Sequence, residues 1–166
     1  MEVMIRRGAA GPKGLGGVNT PARPGIQYAP LMRFDLVDHV VELSGERIVT
    51  LKNVSNAEEY LLDHFPTFPV LPGVFMIESM VQAARRLAAS IDPANGRHVL
   101  GGVRALKYGT FVRPGDTLRV EVTLEKSGES GTLEFKGNGV VIRPGGTAEG
   151  APTAVSGKFS LRPIRV

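Results

Sequence analysis

A single stretch of helix-forming sequence constrains this chain more than any other feature. Residues 74–90 contain neither glycine nor proline, although the 166-residue chain has 21 glycines and 12 prolines. Pro72-Gly73 precedes the stretch and Asp92-Pro93 follows it, so the pattern predicts one long helix between these breaks. The first turn, residues 74–77, is apolar on every side, and such a helix is expected to be buried all round. A sheet that wraps around the helix would provide that burial.

Runs of strand-forming residues flank the predicted helix on both sides. Before it, residues 36–43 and 47–54 are separated by Ser44-Gly45-Glu46 and predict a hairpin. After it we predict about four further strands, at residues 99–106, 117–125, 133–142 and 155–161. Because strands and helices do not alternate, a parallel Rossmann-like sheet is not expected. The predicted fold class is α+β, with an antiparallel sheet of about six strands around one long central helix.

Composition excludes several classes of function. The chain has no cysteine, which excludes disulfides, thiolate metal sites and cysteine nucleophiles. No apolar run approaches the ~20 residues of a transmembrane helix, and no apolar core follows the N-terminal charges. We therefore expect no membrane span, no secretory signal and a cytoplasmic location.

The net charge of +4 is distributed unevenly along the chain. Residues 1–30 hold four basic side chains and one acidic one, together with ten glycines and prolines. We interpret 1–30 as a flexible basic arm and 31–166 as a single domain. Four dispersed charges without interleaved aromatic side chains are poor evidence for nucleic-acid binding, so no nucleic-acid partner is expected.

Residues suited to catalysis cluster at the start of the predicted helix. Glu78 follows the apolar first turn, where it either stabilises the helix dipole, pairs with an arginine, or acts as an apolar-shielded proton donor. Three evenly spaced prolines stiffen the preceding loop around His64, and Gly73 lets a ligand approach a backbone N–H at the helix start. This set suits proton removal beside a carbonyl and departure of a β-leaving group. The alternative for His64 is a loop imidazole bonded to the backbone.

These residues resemble the signature of a known enzyme family. The motif consists of His64-Phe65-Pro66, Pro69, Pro72-Gly73-Val74, Glu78 and Gln82. It is similar to the signature of bacterial 3-hydroxyacyl-acyl-carrier-protein dehydratases, the β-hydroxyacyl dehydratases of type II fatty acid biosynthesis. The resemblance extends to the hairpin upstream and to Phe111-Val112 and Pro114-Gly115-Asp116 downstream, and it covers most of residues 34–126.

The resemblance implies a hot-dog fold, in which an antiparallel sheet wraps one central helix. It implies loss of water from a (3R)-3-hydroxyacyl thioester on acyl carrier protein, with no metal or cofactor beyond the substrate's own pantetheine arm. His64 would remove the α-proton, Glu78 would protonate or orient the departing hydroxyl, and the Gly73 N–H would bind the thioester carbonyl. Gln82 would hold the orientation of Glu78. Family members are homodimers or trimers of dimers, and each site takes its histidine and its carboxylate from different protomers.

Some positions separate this chain from parts of the family. The related dehydratase/isomerases usually carry aspartate at the position of Glu78, so dehydration without isomerisation is expected. Asp63 and Thr67 stand where the family often has glycine. A carboxylate beside His64 favours the protonated imidazole, which would weaken it as a base.

Aromatic and basic residues near the motifs are candidates for contacts with the substrate and its carrier. The candidates for lining an acyl tunnel are Tyr60, Phe68, Tyr108 and Phe111, with core packing as the alternative. The candidates for a basic rim that meets an acidic carrier protein are Arg85, Arg86, Arg104, Lys107 and Arg113, with solvated charges as the alternative. His39 and His98 are expected to be structural or solvated, because the three histidines lack metal-ligand spacing.

Two other classes of function remain open from the sequence alone. A hot-dog thioesterase would hydrolyse the thioester, but such enzymes generally lack the His-Phe-Pro loop. A non-catalytic hot-dog subunit would bind acyl chains without turnover, which the presence of both His64 and Glu78 disfavours. A dehydratase of a specialised lipid or polyketide pathway would share the chemistry of the fatty acid enzyme.

Overall fold

The computed structural model of the chain describes residues 34–93, 97–128 and 130–164. Within these ranges the elements are α1 (Gly73–Ile91), a short 3-10 helix (Glu59–Leu61), β1 (His39–Ser44), β2 (Arg47–Asn53), β3 (His98–Tyr108), β4 (Thr117–Ser127), β5 (Leu133–Ile142) and β6 (Thr153–Pro163). The arm predicted for residues 1–30 lies outside the described residues. Across the described ranges, no helix is long and apolar enough to cross a membrane.

The strands form an antiparallel sheet. Over the described residues its order is β1-β2-β4-β5-β6-β3, which leaves β1 and β3 at the edges. β1 and β2 form the predicted hairpin, in which Ser44 pairs with Arg47 across the turn. For this part of the chain, the prediction of six antiparallel strands and one long helix is confirmed.

Helix α1 packs across the inner face of this sheet. Leu118, Val120 and Val122 of β4 face the helix side and are fully buried, as their alternation with polar residues predicts. Gly137 of β5 allows the closest approach, because a Cβ there would lie 2.4 Å from the Sδ atom of Met80. The absent side chain therefore makes room for α1 against the middle of the sheet.

The first turn of α1 is not buried on every side, so that prediction is wrong for the single chain. Met76 is buried, but Val74 is 65% exposed. Phe75 and Ile77 are half-buried. The sheet covers one side of the helix. The extended segment before β1 covers another side, but it contacts α1 at Gln82, two turns beyond Val74, and so it does not cover the first turn.

That extended segment replaces the first part of a predicted strand. The strand predicted from residue 36 begins only at His39. The buried Leu36 donates its N–H to the Oε1 of Gln82 (2.7 Å), and the Phe34 carbonyl accepts from Gln82 Nε2 (3.1 Å). A helix side chain, not a neighbouring strand, therefore satisfies the backbone at this point.

The Pro-Gly-Asp turn fixes the loop that leads into α1. The buried carboxylate of Asp116 accepts from the Arg113 N–H (2.8 Å) and pairs with Arg143 (3.2 Å). Just before this turn, the Val112 carbonyl accepts from the Leu71 N–H (2.8 Å). The turn after β3 thereby holds the last residues before the helix in place.

Candidate active site

The loop before α1 makes a tight turn immediately after His64. Phe65 has a φ of +60°, which is uncommon for a residue with a side chain. The Phe68 N–H donates to the Phe65 carbonyl (2.7 Å) and closes a β-turn with Pro66 at its second position. Thr67 does not have a positive φ, so this turn does not require glycine there. The Thr67 departure is therefore compatible with the backbone of the loop.

His64 is oriented by a hydrogen bond to the backbone. Its Nδ1–H donates to the Val70 carbonyl (2.9 Å), since a carbonyl oxygen can only accept. In the neutral ring, the lone pair then lies on Nε2. The alternative interpretation of His64 expects such a backbone bond, and the same bond prepares Nε2 to accept a proton.

The start of α1 presents backbone donors beside an aromatic ring. Pro72 precedes the helix without a side-chain cap, and its carbonyl accepts from the Phe75 N–H (2.9 Å). Within the described residues, the N–H groups of Gly73 and Val74 have no acceptor. A Cβ at Gly73 would lie 2.8 Å from the Tyr108 ring, so glycine is the residue that fits there. Burial raises the pKa of Tyr108, which keeps its hydroxyl protonated at neutral pH.

Glu78 is half-buried and contacts two side chains of its own helix. Gln82 Nε2 donates to its Oε1 (3.0 Å), and Arg85 Nη1 lies 3.8 Å from the same oxygen. Spacings of four and seven residues bring these groups to one side of the helix. One interpretation of Glu78 expects it to pair with an arginine, and Arg85 is that arginine. Gln82 lies beside the carboxylate, as the family resemblance implies.

His64 and Glu78 of one chain do not contact each other. Within the described residues, no hydrogen bond or ion pair joins them, and their partners are Val70 for His64 and Gln82 and Arg85 for Glu78. The described chain therefore holds the two groups in separate hydrogen-bond environments.

Phe68, Phe111 and Tyr108, three of the tunnel candidates, lie on exposed surface near this loop. Phe68 and Phe111 meet edge-to-face with their centroids 5.8 Å apart, and the Arg113 guanidinium lies 4.2 Å from the Phe68 centroid. Tyr108 packs on the backbone of Gly73 instead. These aromatic rings are 39% to 55% exposed, so the described chain does not use them as core.

Tyr60 is anchored within the domain. Its ring meets Phe75 edge-on with centroids 4.6 Å apart, and its hydroxyl donates to Glu58. Glu58 also pairs with the buried Lys52 (2.9 Å). Burial, together with the Glu58 carboxylate, raises the pKa of Tyr60. Burial alone would raise the pKa of Glu58, but hydrogen bonds from the Tyr60 hydroxyl and the Lys52 ammonium outweigh it and lower that pKa. Tyr60 therefore packs within the domain, which was the alternative to a role in lining an acyl tunnel.

The arginines of α1 pair with carboxylates of the same domain. Arg85 faces Glu78, and the Arg86 side chain is only 10% exposed and pairs with Asp35 (2.6 Å). Their positions on the helix direct both guanidinium groups toward carboxylates of the domain. A role of either arginine in a carrier-protein rim stays a prediction.

The other basic candidates lie in separate places. Arg104 pairs with Glu134 (3.3 Å) on the sheet. Lys107 lines an open groove of about 520 Å³ that crosses β3 to β6 on the face away from α1. Arg113, stacked on Phe68, is the candidate that lies beside the loop of His64. The five cations therefore do not form a continuous rim.

The remaining charged candidates lie outside the site. His98 is buried and donates from Nε2 to the Gly131 carbonyl (2.8 Å), which fits the predicted structural role, and His39 is exposed. Asp63 is exposed, and in the described chain it forms no ion pair with His64. Among the described residues, no group of three or more histidines and carboxylates is arranged to hold a metal ion.

Some contacts at the site were not anticipated from the sequence. A backbone bond of His64 was one of the expectations, but the sequence does not indicate that its acceptor is the Val70 carbonyl. No local pattern indicates that the Tyr108 ring limits position 73 to glycine. The pairing of Glu78 with Arg85 fits the expectation that Glu78 pairs with an arginine, and the spacing of seven residues places both on one side of the helix.

Comparison with known proteins identifies relatives in sequence. A family model described as ApeI dehydratase, ApeI-like, matches residues 40–143. The chain is 46% identical over 93 residues to the 3-hydroxyacyl-acyl-carrier-protein dehydratase FabZ of Oenococcus oeni, which covers 55% of this chain and 67% of that relative.

Comparison of structures identifies proteins of the same fold. The dehydratase heterocomplex ApeI:P from Xenorhabdus doucetiae matches with a TM-score of 0.60 at 20% identity, over 79% of this chain and 84% of the other. A hypothetical thioesterase from Streptococcus pneumoniae, solved with coenzyme A, matches with a TM-score of 0.57 at 12% identity, over 76% and 84%. At such identities the likeness shows the fold alone.

The fold does not separate dehydratase from thioesterase, because neighbours of both descriptions share it. The sequence does separate them. The family match includes His64, Gly73 and Glu78, and the curated relative is a dehydratase, that is, a hydro-lyase. These findings show that the chain belongs to the ApeI-like dehydratase family, with the hot-dog fold.

Proposed function

We propose that the chain removes water from a (3R)-3-hydroxyacyl thioester carried by acyl carrier protein and forms the trans-2-enoyl thioester. One observation carries the proposal. The Val70 carbonyl fixes the tautomer of His64 so that Nε2 can accept a proton, in a loop that leads directly to the free N–H groups at the start of α1. Membership of a dehydratase family supports the same reaction.

His64 is the base in this mechanism. Its Nε2 takes the proton from the α-carbon, and the electron pair of the C–H bond moves toward the thioester carbonyl. The Gly73 N–H, aided by the helix dipole, stabilises the charge that develops on the carbonyl oxygen. Tyr108 packs on this glycine and limits the space through which the thioester reaches the N–H.

Glu78 acts at the other end of the bond that becomes the double bond. It protonates or orients the departing β-hydroxyl, directly or through water, and the C–O bond breaks as the double bond forms. The departing water consists of the β-hydroxyl and the proton from Glu78. The α-proton held by His64 then returns to Glu78 through water or solvent, so the net change is the loss of one water molecule, and no oxidant, reductant or organic cofactor is required. Glutamate rather than aspartate at position 78 supports dehydration without isomerisation.

Two chains complete each site in this proposal. His64 and Glu78 have different partners within the described chain and no contact with each other. Val74 and Phe65, which lie near them in sequence, are 65% and 57% exposed, as expected of surface that an assembly or a substrate covers. A homodimer, alone or within a trimer of dimers, would supply His64 from one protomer and Glu78 from the other.

The proposed partner is an acyl carrier protein that delivers the substrate on its phosphopantetheine arm. Arg113, beside Phe68 and Phe111, is the cation of the predicted rim that best fits this contact. Fatty acid biosynthesis is the proposed pathway, and a specialised lipid or polyketide pathway would use the same chemistry. A cytoplasmic location remains a prediction.

A product assay tests the proposal. The protein is mixed with a 3-hydroxyacyl carrier-protein thioester, and enoyl absorbance and product masses are followed over time. We expect reversible loss of 18 mass units, without free acid. Rapid release of free acid would instead support a thioesterase, and unchanged substrate would support a non-catalytic subunit.

Variants of the base provide the matched control. His64→Ala is expected to lower the rate by at least ~10²-fold, the usual scale for a positioned acid or base. His39→Ala removes an exposed histidine at the start of β1 and should leave the rate unchanged. Equal rates for the two variants would exclude His64 as the base.

A further inference from the structure

The orientation of Gln82 is determined by the backbone that surrounds it. The Leu36 N–H can only donate, so the amide oxygen of Gln82 must face it at 2.7 Å. The Nε2 group then faces two acceptors, the Phe34 carbonyl at 3.1 Å and the Oε1 of Glu78 at 3.0 Å. Gln82 is 1% exposed, and a flipped amide would place like groups together. The Gln82 amide is therefore a fixed donor to one oxygen of Glu78.

Arg85 faces that same oxygen and is itself held in place. Its Nη1 lies 3.8 Å from Glu78 Oε1, within ion-pair distance but too far for a direct hydrogen bond. Its Nε donates to the His98 carbonyl at the start of β3 (3.0 Å). The His98 ring is anchored in turn on the Gly131 carbonyl (2.8 Å). The guanidinium is thus positioned between the sheet and the carboxylate.

The neighbouring charges do not displace this arrangement. Arg86 bonds to both oxygens of Asp35, at 2.8 and 2.6 Å, and to the Gln82 carbonyl at 3.3 Å. Asp35 is thereby occupied by Arg86, and within the described residues Glu78 forms its ion pair with Arg85. The charged groups that surround Glu78 from α1, the entry segment and β3 therefore leave Arg85 as its cation.

The hydrogen bond from Gln82 and the closest approach of Arg85 both fall on Oε1, and in the described part of the chain Oε2 has no hydrogen-bond partner. A proton on Oε1 would point at groups that carry hydrogens of their own, so any proton on Glu78 belongs on Oε2. We infer that Arg85 is a positioning residue that, with Gln82, fixes Oε1 of Glu78 and presents Oε2 to the departing hydroxyl. This inference rests on the proposed function and assigns to Glu78 the oxygen that acts.

The test compares kcat and KM for substitutions at Arg85, first in the wild-type protein and then in a Glu78→Gln background. Arg85→Gln should lower kcat roughly 10-fold or more while KM stays within about 2-fold, because a misplaced acid affects the transition state more than substrate binding. Arg85→Lys keeps the charge but loses the planar fork, and should recover part of kcat. Arg119→Gln removes a paired arginine of β4 and should leave kcat unchanged.

The decisive comparison is a double-mutant cycle. If Arg85 acts through Glu78, then Arg85→Gln should have less than about a 2-fold effect on kcat in a Glu78→Gln background. Thermal unfolding of each variant separates loss of kcat from loss of fold, and Arg85→Lys provides the test if Arg85→Gln does not fold. Equal losses in both backgrounds, or an unchanged kcat in Arg85→Gln and Arg85→Lys, would overturn the inference. A wild-type protein that forms no enoyl thioester would instead overturn the proposed function.

Discussion

The two sides of helix α1 have different tasks. On the sheet side, Met80 and Leu87 are at most 1% exposed and belong to the main hydrophobic core. On the other side, Val74 is 65% exposed, and Glu78 and Arg85 are half-buried. One chain therefore completes the burial of the first side by itself and leaves the second side partly open. In the proposed mechanism, stability and chemistry therefore depend on different faces of the same helix.

The same contrast continues beyond the helix. Three aromatic side chains near the loop before α1 are exposed: Phe65 at 57%, Tyr108 at 51% and Phe111 at 55%, whereas Phe135 of the sheet is fully buried. Large exposed apolar groups that cluster in one region mark surfaces meant to be covered. In the proposed dimer, the second chain and the acyl thioester cover this region.

The largest expected effect is a difference in the free energy of unfolding between variants on the two faces of α1. Leu87→Ala should lower the free energy of unfolding by about 2–5 kcal/mol, because it removes a buried side chain and leaves a cavity. Val74→Ala deletes apolar atoms on the same helix at an exposed position and should cost less than about 1 kcal/mol. Denaturant unfolding of both variants measures the difference, and similar losses would show that Val74 is as buried as Leu87.

The next effect tests how closely the site is packed at Gly73. Gly73→Ala should lower kcat/KM roughly 10-fold, because the new Cβ meets the Tyr108 ring at 2.8 Å and displaces it. Tyr108→Leu removes the ring atoms involved, so the double variant should be faster than Gly73→Ala alone. A Gly73→Ala variant with wild-type kcat/KM, or a double variant no faster than the single one, would exclude this contact from the site.

The smallest expected effect concerns the ion pair between Lys52 and Glu58. Because the folded pKa of Glu58 lies below its ordinary value of 4.5, its carboxylate stabilises the fold above that pH. This contribution is lost as the pH falls through the folded pKa. The difference in unfolding free energy between wild type and Glu58→Gln should therefore shrink between pH 6 and pH 3. Glu59→Gln, one residue along the chain, controls for removal of a negative charge, and a difference that stays constant with pH would contradict the assignment.

The parts of the fold that could be predicted from the sequence are those set by local periodicity. The alternation of Leu118, Val120 and Val122 predicts the buried face of β4, and the absence of glycine and proline predicts α1 to within one residue at each end. The motif placed His64 and Glu78 at the right elements. These signals lie within one element, so no long-range contact is needed to recognise them.

The parts that could not be predicted depend on contacts between distant segments. Leu36 bonds to Gln82 across 46 positions, which replaces a strand that local propensity favours. The apolar first turn of α1 does not reveal whether its cover comes from the same chain, and here Val74 remains exposed. Arg85 and Arg86 look like solvated cations until Glu78 and Asp35 are known to face them.

The most direct test of the account is the rate of enoyl thioester formation by a mixed dimer. His64→Ala and Glu78→Gln chains are co-expressed with different affinity tags, and the species that carries both tags is purified. Each parent variant alone should be slower than wild type by at least ~10²-fold. The mixed dimer pairs one intact His64 with one intact Glu78, so we predict about half of the wild-type rate per dimer. A mixed dimer as slow as its parents, beside an active wild type, would contradict a site shared between two chains.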